Sequence, residues 1–450
     1  MSVLDKYQTF YFAGIGGIGM SNLARYFHAS GKNVLGYDKT ETKLTKELVA
    51  EGISITFEDD IHKNIADLNP DNTLVVYTPA IKNLKILDYF NENNFQILKR
   101  AKVLGLITEH TECIAVAGTH GKTTTSTLIA HLCNVAGLPF SCFLGGISEN
   151  FKSNFLYKGN QYSVVEADEY DRSFLQLSPD WAIITSDDAD HLDIYGDAET
   201  IRQGFQDFAN LIPENRQLFV RKGTNLNRPC MTYAVNSPAD FYSDELRIEN
   251  GKMYFSFHHE GKSTPFSWEI PGIHNVENAT AAIALLSSLG VDMPTLQQGI
   301  SSFKGIKRRY TIHHFDDKIY IDDYAHHPTE LDAVLNSIRT FYPEKKLLVV
   351  FQPHLFSRTR DFADGFAKSL SNSDELLLLD IYPARELQED FQGITSEWLL
   401  EKIIHQNKNV TSLENSLELI KEKDFDIILT AGAGNIDRLY DPIVEWLSRK

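Results

Sequence analysis

Val116-Ala117-Gly118-Thr119-His120-Gly121-Lys122-Thr123-Thr124-Thr125 is the stretch that decides the fold. It follows an apolar run, Cys113 to Ala117, and precedes a helix-like run, Thr124 to Val135. That order reads as a strand, a glycine turn and a helix whose first amides lack partners. Such a turn cradles phosphates; Lys122 adds a point charge, and the Thr123 hydroxyl suits Mg²⁺. The usual P-loop carries a further glycine where this chain has Val116, so the stretch is a P-loop variant. A glycine-rich turn with an incidental lysine is the plainer alternative, and the flanking strand and helix argue against it.

The 450 residues are 42% hydrophobic and 23% charged, a globular composition with room for several domains. Lys and Arg number 43 against 61 Asp and Glu, a net charge of −18. That balance opposes a nucleic-acid or anionic-membrane surface, and a local positive site for a small phosphate ligand remains compatible with it. No obligatory protein partner is expected. Cys113, Cys133, Cys142 and Cys230 show no metal or redox spacing and read as reduced thiols of a cytoplasmic protein. Asp5 and Lys6 lead straight into a strand, unlike a signal peptide, and runs such as Leu376 to Leu379 are too short to cross a membrane.

Three blocks follow along the chain: residues 1–106, 107–310 and 311–450. In the first, the strand Thr9 to Ala13 leads into Gly14-Ile15-Gly16-Gly17-Ile18-Gly19, and a second strand, Val34 to Tyr37, ends at Asp38. This glycine pattern sets a helix N-terminus against a diphosphate, with Asp38 either at a ribose or simply ending a strand. In the second block, the strand Ser163 to Val165 runs into Glu166-Ala167-Asp168-Glu169, where a nucleotide-bound Mg²⁺ needs oxygen ligands. A strand from Trp181 to Thr185 leads to Asp187-Asp188-Ala189-Asp190-His191-Leu192-Asp193, and His191 among acids reads as a metal ligand. His274 and Asn278 precede an alanine-rich helix, Ala279 to Leu289, either contacting adenine or capping the helix. In the third block, the strands Leu347 to Phe351, Glu375 to Ile381 and Asp426 to Ala431 alternate with helices, as in a parallel α/β sheet.

Taken together, several motifs resemble those of the Mur ligase family of peptidoglycan synthesis, over almost the whole chain. They are the loop Gly14 to Gly19, the P-loop Gly118 to Thr124, Glu166 to Glu169, Asp190-His191-Leu192-Asp193, and His274-Asn275 with Asn278. Arg308-Arg309, Asp323-Tyr324-Ala325-His326-His327-Pro328, and Gln352-Pro353-His354 with Ser357-Arg358-Thr359-Arg360-Asp361 complete the set. The resemblance implies an α/β fold of three domains. These are a Rossmann-like N-terminal domain for a UDP-sugar, a central P-loop ATP domain with a mostly parallel sheet, and a C-terminal Rossmann-like domain that closes over the site with an amino acid.

The implied reaction joins L-alanine to the lactyl carboxylate of UDP-N-acetylmuramate through an acyl phosphate, with ATP and Mg²⁺. Gly118, Thr119, His120, Gly121, Lys122, Thr123 and Thr124 would hold ATP phosphates, with Arg309 reaching them from the third block and His274 and Asn278 at adenine or ribose. Thr123 and Glu166 would hold one Mg²⁺, and Glu166 with His191 a second. Gly14, Gly16, Gly17, Ile18, Gly19 and Asp38 would hold the UDP diphosphate. Tyr324, His354, His326 and Arg358 would line the amino-acid side, and the catalytic set would be Lys122, Glu166, His191, Arg358 and His326. The chain departs from many relatives at Leu355, where an arginine is common, and at Ser186, where asparagine is common; no lysine lies between Ile201 and Asn210 for carbamylation.

Three rival readings follow from the same residues. A recycling ligase of the family, which adds an intact tripeptide, would share His120 and the run Glu166 to Asp171 but should lack Arg358-Thr359-Arg360-Asp361. A nicotinamide-dependent dehydrogenase would explain the first glycine loop and leave the P-loop unexplained. A non-catalytic nucleotide sensor would keep the P-loop without phosphate release.

Overall fold

A computed structural model of the chain describes residues 3–449 apart from 80, 82, 187–197, 250 and 385. It has three sheets, as the α/β reading requires, and divides into two compact bodies. The first holds residues 1–304 apart from 248–252 and 270–272; the second holds those short stretches and residues 305–450.

The first sheet is built around β1 (Thr9–Ala13), buried at every position, as a strand covered on both faces must be. Its order is β3 (Ser54–Thr56), β2 (Asn33–Tyr37), β1, β4 (Thr73–Tyr77), β5 (Gln96–Lys99), and every pairing is parallel. The chain order reverses at β1, so the loop after β1 opens at the switch point where such sheets bind ligands.

The second sheet has ten strands. Its parallel centre is β7 (Phe140–Ser148), β9 (Tyr162–Glu166), β6 (Glu112–Ala117), β10 (Trp181–Ile184), β11 (Leu218–Arg221), β12 (Met231–Val235) and β13 (Phe241–Glu249). Antiparallel pairs close both ends: β8 (Ser153–Tyr157) on β7, and β14 (Lys252–His259) with β15 (Lys262–Trp268). One buried apolar cluster runs from Phe10 and Phe12 through Val103, Phe143 and Val165 to Ala182 and Val220, so the first two sheets share a continuous core.

The second body has a six-stranded sheet in the order β16 (Thr311–His314), β17 (Ile319–Asp323), β21 (Ile427–Ala431), β18 (Leu347–Phe351), β19 (Glu375–Leu379), β20 (Lys408–Thr411). Only the β16–β17 pairing is antiparallel among those described. Leu347, Val349 and Phe351 face one apolar layer while Leu348 and Val350 face the other, the period-two alternation of a strand buried on both sides. No helix among the described residues is long and apolar enough to cross a membrane.

One expected boundary is corrected. The alanine-rich helix spans Ile273–Ser288, so it starts before His274, and Asn278 lies inside it rather than at its cap. The polar first turn hid the start.

Gly105, in the helix Arg100–Thr108, shows how tightly the first body is packed. A Cβ there would lie 2.0 Å from the Gln176 carbonyl oxygen, at the end of the short helix Tyr170–Gln176. Gly105→Ala should therefore cost about 1–3 kcal/mol of stability through overpacking. A lowered thermal midpoint is the expected result, and an unchanged midpoint would show that the helix has room to shift.

Candidate active site

The P-loop is shaped by two glycines. Gly118 follows β6 with φ +128°, and a Cβ on it would lie 2.1 Å from Thr185 Oγ1, so both conformation and space demand glycine. Gly121, at φ +81°, starts the helix Lys122–Val135 with no side-chain cap. The uncapped first turn leaves its amides directed at whatever sits above the loop.

Ser186 and Thr185, at the end of β10, form the floor. Ser186 Oγ receives the His120 N–H at 3.1 Å and bonds Thr119 Oγ1 at 2.6 Å, while its carbonyl receives the Thr119 N–H at 3.2 Å. The Thr185 hydroxyl donates to the carbonyls of Ala117, at 3.1 Å, and His120. Thr119 and His120 were expected among the phosphate donors; the geometry instead spends both amides on the loop's own floor. Ser186, noted as a departure from the usual asparagine, thereby acquires a role. A Cβ on Gly121 would lie 2.6 Å from Asn278 Oδ1, which places Asn278 against the loop. His274 is exposed, one helical turn earlier on the same face.

Two carboxylates frame the loop. The Thr123 hydroxyl donates to Glu166 Oε1 at 3.1 Å, and Glu166 Oε2 receives the Gly145 N–H at 3.1 Å. A Cβ on Gly145 would lie 2.3 Å from Glu166 Oε2, so this β7 residue must be glycine to admit the carboxylate. Lys122 Nζ donates to the Gly118 carbonyl at 2.7 Å and to Glu169 Oε1 at 2.9 Å. Burial pushes the Glu169 carboxyl above its ordinary range and Lys122 pulls it back.

No group of three or more His, Cys, Asp or Glu gathers among the described residues as a metal cage. Mg²⁺ does not require one, since it keeps waters and phosphate oxygens beside one or two protein ligands. The Thr123–Glu166 pair fits that demand. His191 lies outside the described residues.

The first glycine loop is braced from below. Gly14, at φ +83°, and Ile15 donate their N–H groups to the Tyr37 carbonyl at 2.7 and 3.0 Å. Asp38 receives the N–H of Gly16 at 2.8 Å and of Thr40 at 3.1 Å, one on each carboxylate oxygen. It therefore holds the loop, closer to the strand-end reading than to a ribose contact. Gly17 precedes the uncapped helix Ile18–Ala29. A Cβ on Gly19, in that helix's first turn, would lie 2.9 Å from Arg100 Nη1, so a guanidinium rests over the helix start. Neither Arg100 nor Gly145 stood out in the sequence; β5, which delivers Arg100, is short and polar at both ends.

In the second body the expected acceptor residues do converge. Rings of Tyr324 and His326 lie 5.1 Å apart, those of His326 and His354 6.0 Å, and His354 stacks on Tyr382 at 5.7 Å. His326 Nδ1 lies 2.9 Å from the Tyr324 carbonyl and 3.3 Å from Glu330. Burial lowers the His326 pKa, Glu330 opposes that, and the nearby Arg358 reinforces it. Leu355 holds a left-handed φ of +69° and leads into the helix Phe356–Asp361, which presents Arg358. Ser357 anchors that helix by donating its N–H, at 3.0 Å, and its hydroxyl to Glu386. Arg360 turns to Asp361 at 2.7 Å on the surface.

Arg308 and Arg309 both lie over the Tyr324 ring, at 5.3 and 5.6 Å. Arg308 reaches back to the buried Asp322 at 3.5 Å, whereas the Arg309 side chain is exposed. Asp323 receives the N–H groups of Tyr310 and Ala325, each at 2.7 Å. Burial nevertheless pushes Asp322 and Asp323 up to about 6, against the pull of Arg308 and Arg309 respectively.

Comparison with known proteins bears on the whole chain. Family profiles match in three consecutive segments: the Mur ligase family, catalytic domain, over residues 9–111; the Mur ligase middle domain over 116–286; and the Mur ligase, glutamate ligase domain over 308–434. The UDP-N-acetylmuramate–L-alanine ligase of Christiangramia forsetii is 47% identical over 442 residues, covering 97% of each chain. That of Flavobacterium psychrophilum is 47% identical over 450 residues, covering 99% of this chain and all of its own. The crystal structure of UDP-N-acetylmuramate-alanine ligase from Thermotoga maritima superposes with a TM-score of 0.84 at 27% identity, covering 98% of this chain and 100% of that one. A murein peptide ligase from Psychrobacter arcticus shares the fold, with a TM-score of 0.71 at 24% identity and coverage of 98% and 99%.

Because Asp323 binds its proton more tightly when folded than at its ordinary 3.8, its contribution to stability is full below that value and is lost as pH rises through about 6. Asp323→Asn removes the titration. The melting temperature of the wild type relative to this variant should fall as pH rises from 4 to 7. A pH-independent difference would contradict the burial argument.

Proposed function

The chain belongs to the Mur ligase family, and from that premise we propose that it joins L-alanine to the lactyl carboxylate of UDP-N-acetylmuramate, with ATP, in peptidoglycan precursor synthesis. The observation that carries the reading is the pairing of Lys122 with Glu169 and of Thr123 with Glu166 at the uncapped start of the helix Lys122–Val135. The choice of alanine is supported by the full-length likeness to L-alanine ligases. We assign residues 1–106 to the UDP-sugar, 107–310 to ATP and 311–450 to the amino acid, and place the reaction in the cytoplasm.

A carboxylate and an amine do not condense at neutral pH, because oxide is a poor leaving group. The lactyl carboxylate oxygen therefore attacks the γ-phosphorus of ATP, and ADP leaves. The amine of L-alanine then attacks the acyl carbon, and the tetrahedral intermediate expels phosphate. Positioning and charge neutralisation are what the protein supplies. Lys122, exchanging its contacts with Gly118 and Glu169 for phosphate oxygens, joins the amides of Gly121, Thr123 and Thr124 around the β- and γ-phosphates. Thr123 and Glu166 would hold Mg²⁺, with His191 assigned beside Glu166 to a second ion; when bound, Mg²⁺ neutralises phosphate oxygens. Asn278 and His274 take the nucleoside, and Arg309 a phosphate.

In the first body, the amides of Ile18 and Gly19 and the Arg100 guanidinium hold the UDP diphosphate, while Gly17 spends its N–H on the Gly14 carbonyl and Asp38 braces Gly16. In the second, Arg358 pairs with the alanine carboxylate through two parallel hydrogen bonds, and Tyr324 and His354 border the pocket. His326, kept neutral by burial, takes the proton that the alanine ammonium must lose.

The reading is tested by ADP release from ATP in the presence of UDP-N-acetylmuramate and either L-alanine or the tripeptide L-alanyl-γ-D-glutamyl-meso-diaminopimelate. Turnover with L-alanine alone is expected; preference for the tripeptide would overturn the choice of acceptor. Lys122→Ala should lower kcat about 10²-fold or more in a folded protein, as the loss of one aimed charge does elsewhere. Near-normal turnover would remove the P-loop from the mechanism. The lowered His326 pKa predicts that kcat/KM for alanine holds down to a pH below the ordinary imidazole range and then falls. His326→Gln should abolish that acid limb along with most activity, and an unchanged profile would release His326 from the role of base.

A further inference from the structure

The helix that opens on the first glycine loop, Ile18–Ala29, carries a buried polar cluster on the side packed against β7 and β8. Arg25 is 6% exposed and Asn154, in β8, is fully buried. The Arg25 guanidinium holds Glu51 with two bonds, at 2.8 and 2.6 Å, and donates from Nη1 to Asn154 Oδ1. Asn154 Nδ2 in turn donates to the Ile18 carbonyl at 2.7 Å and to Ser21 Oγ at 3.0 Å. Asn22 Nδ2 approaches the Leu144 carbonyl at 3.5 Å, and the next residue, Gly145, holds Glu166 through its N–H. Tyr26 closes the contact apolarly, with its ring 5.4 Å from Phe143 and 6.4 Å from Phe155.

Every donor of Asn154 and its oxygen are thus engaged. Apolar packing alone would hold this helix against the hairpin while leaving it free to slide or turn. A buried polar network gains little net stability, since desolvation offsets it, but it tolerates only one register. The register it selects is a functional one. Ile18 is the first residue of the helix above the first glycine loop, and Leu144 adjoins the residue that seats Glu166 beside Thr123.

We propose that Asn154, backed by Arg25, is a positioning residue that sets the distance between the diphosphate end of the UDP-sugar site and the Thr123–Glu166 end of the ATP site. The proposal rests on the reading of those two sites given above. Its consequence is that the lactyl carboxylate reaches the γ-phosphorus at attack distance only when this network is intact.

Asn154→Asp is the sharpest probe in the full-length protein. It keeps the shape and the acceptor for Arg25, removes both donations, and sets an oxygen against the Ile18 carbonyl. Asn154→Ala removes the whole contact, and Ser21→Ala removes one acceptor and the Ser21 hydroxyl's own bond to the Ile18 carbonyl while sparing the Asn154–Ile18 bond. Kinetics with UDP-N-acetylmuramate, ATP and L-alanine should show kcat reduced about 10-fold or more in both Asn154 variants, since misplacement by about 1 Å can cost 10²-fold. The KM for ATP and the separately measured dissociation constant for UDP-N-acetylmuramate should stay close to wild type, because each site remains whole. Ser21→Ala should give a smaller loss in the same direction. A role in stability alone would lower the melting temperature and leave kcat unchanged well below it, and that result overturns the proposal. If the Asn154 variants do not fold, an unchanged kcat in Ser21→Ala overturns it equally. A wild-type protein that fails to bind UDP-N-acetylmuramate would instead overturn the site assignment, and this proposal with it.

Discussion

The Glu166 carboxylate, held between the Thr123 hydroxyl and the Gly145 amide, is the contact on which the rest of the site depends. It ties together three pieces of chain that are distant in sequence: the first turn of the P-loop helix, the end of β9 and the middle of β7. Each needs a particular residue to make the meeting possible. Gly121 must turn left-handed to start the helix without a cap, Gly145 must lack a Cβ to admit the carboxylate, and Thr123 must offer a hydroxyl. The chain's net charge of −18 makes this concentration of positive ends and one lysine more consequential, because an anionic substrate would otherwise be repelled.

The parts legible in the sequence are those whose physics is local. Strands buried on both faces need unbroken apolar runs, so β1, β6, β18 and β19 could be read directly. A phosphate loop needs glycines, a lysine and a hydroxyl in close order, so Gly118 to Thr123 could be read as well. The hairpin strands β7 and β8 and the strands β13 to β15 at the sheet's ends were not anticipated. In β13 charged residues such as Asp244, Glu245 and Arg247 interrupt the apolar pattern, whereas β7 is buried from Phe140 to Leu144 and its run is broken up by Ser141, Cys142, Gly145 and Gly146. The start of the helix at Ile273 was missed for a similar reason, since His274 and Asn275 make its first turn polar.

The site residues that sequence reading missed share a different property. Gly145, Arg100 and Asn154 act only through partners far along the chain; Asn154 meets Ile18 across 136 positions. Nothing in their neighbours marks them. Conversely, Asp38, Thr119 and His120 were read from motif position as ligand contacts, and the structure shows each using the relevant groups to hold its own loop. Motif position finds the loop reliably, whereas which amide faces outward is decided by what lies beneath, here Ser186 and Thr185.

The second body poses the opposite electrostatic problem, burying Asp322 and Asp323 behind a row of arginines and imidazoles. Even when raised to about 6 both carboxyls are mostly ionised at neutral pH, and the pull of Arg308 on Asp322 and of Arg309 on Asp323 offsets part of the burial cost. In the proposed reaction the lactyl carboxylate is activated by transfer of the γ-phosphoryl group from an ATP seated on the P-loop. The most direct measurement uses UDP-N-acetylmuramate labelled with ¹⁸O in that carboxylate and weighs the phosphate released during synthesis with L-alanine. Transfer of one labelled oxygen from the carboxylate into each phosphate is the expected result. Unlabelled phosphate, with the amide still formed, would contradict it.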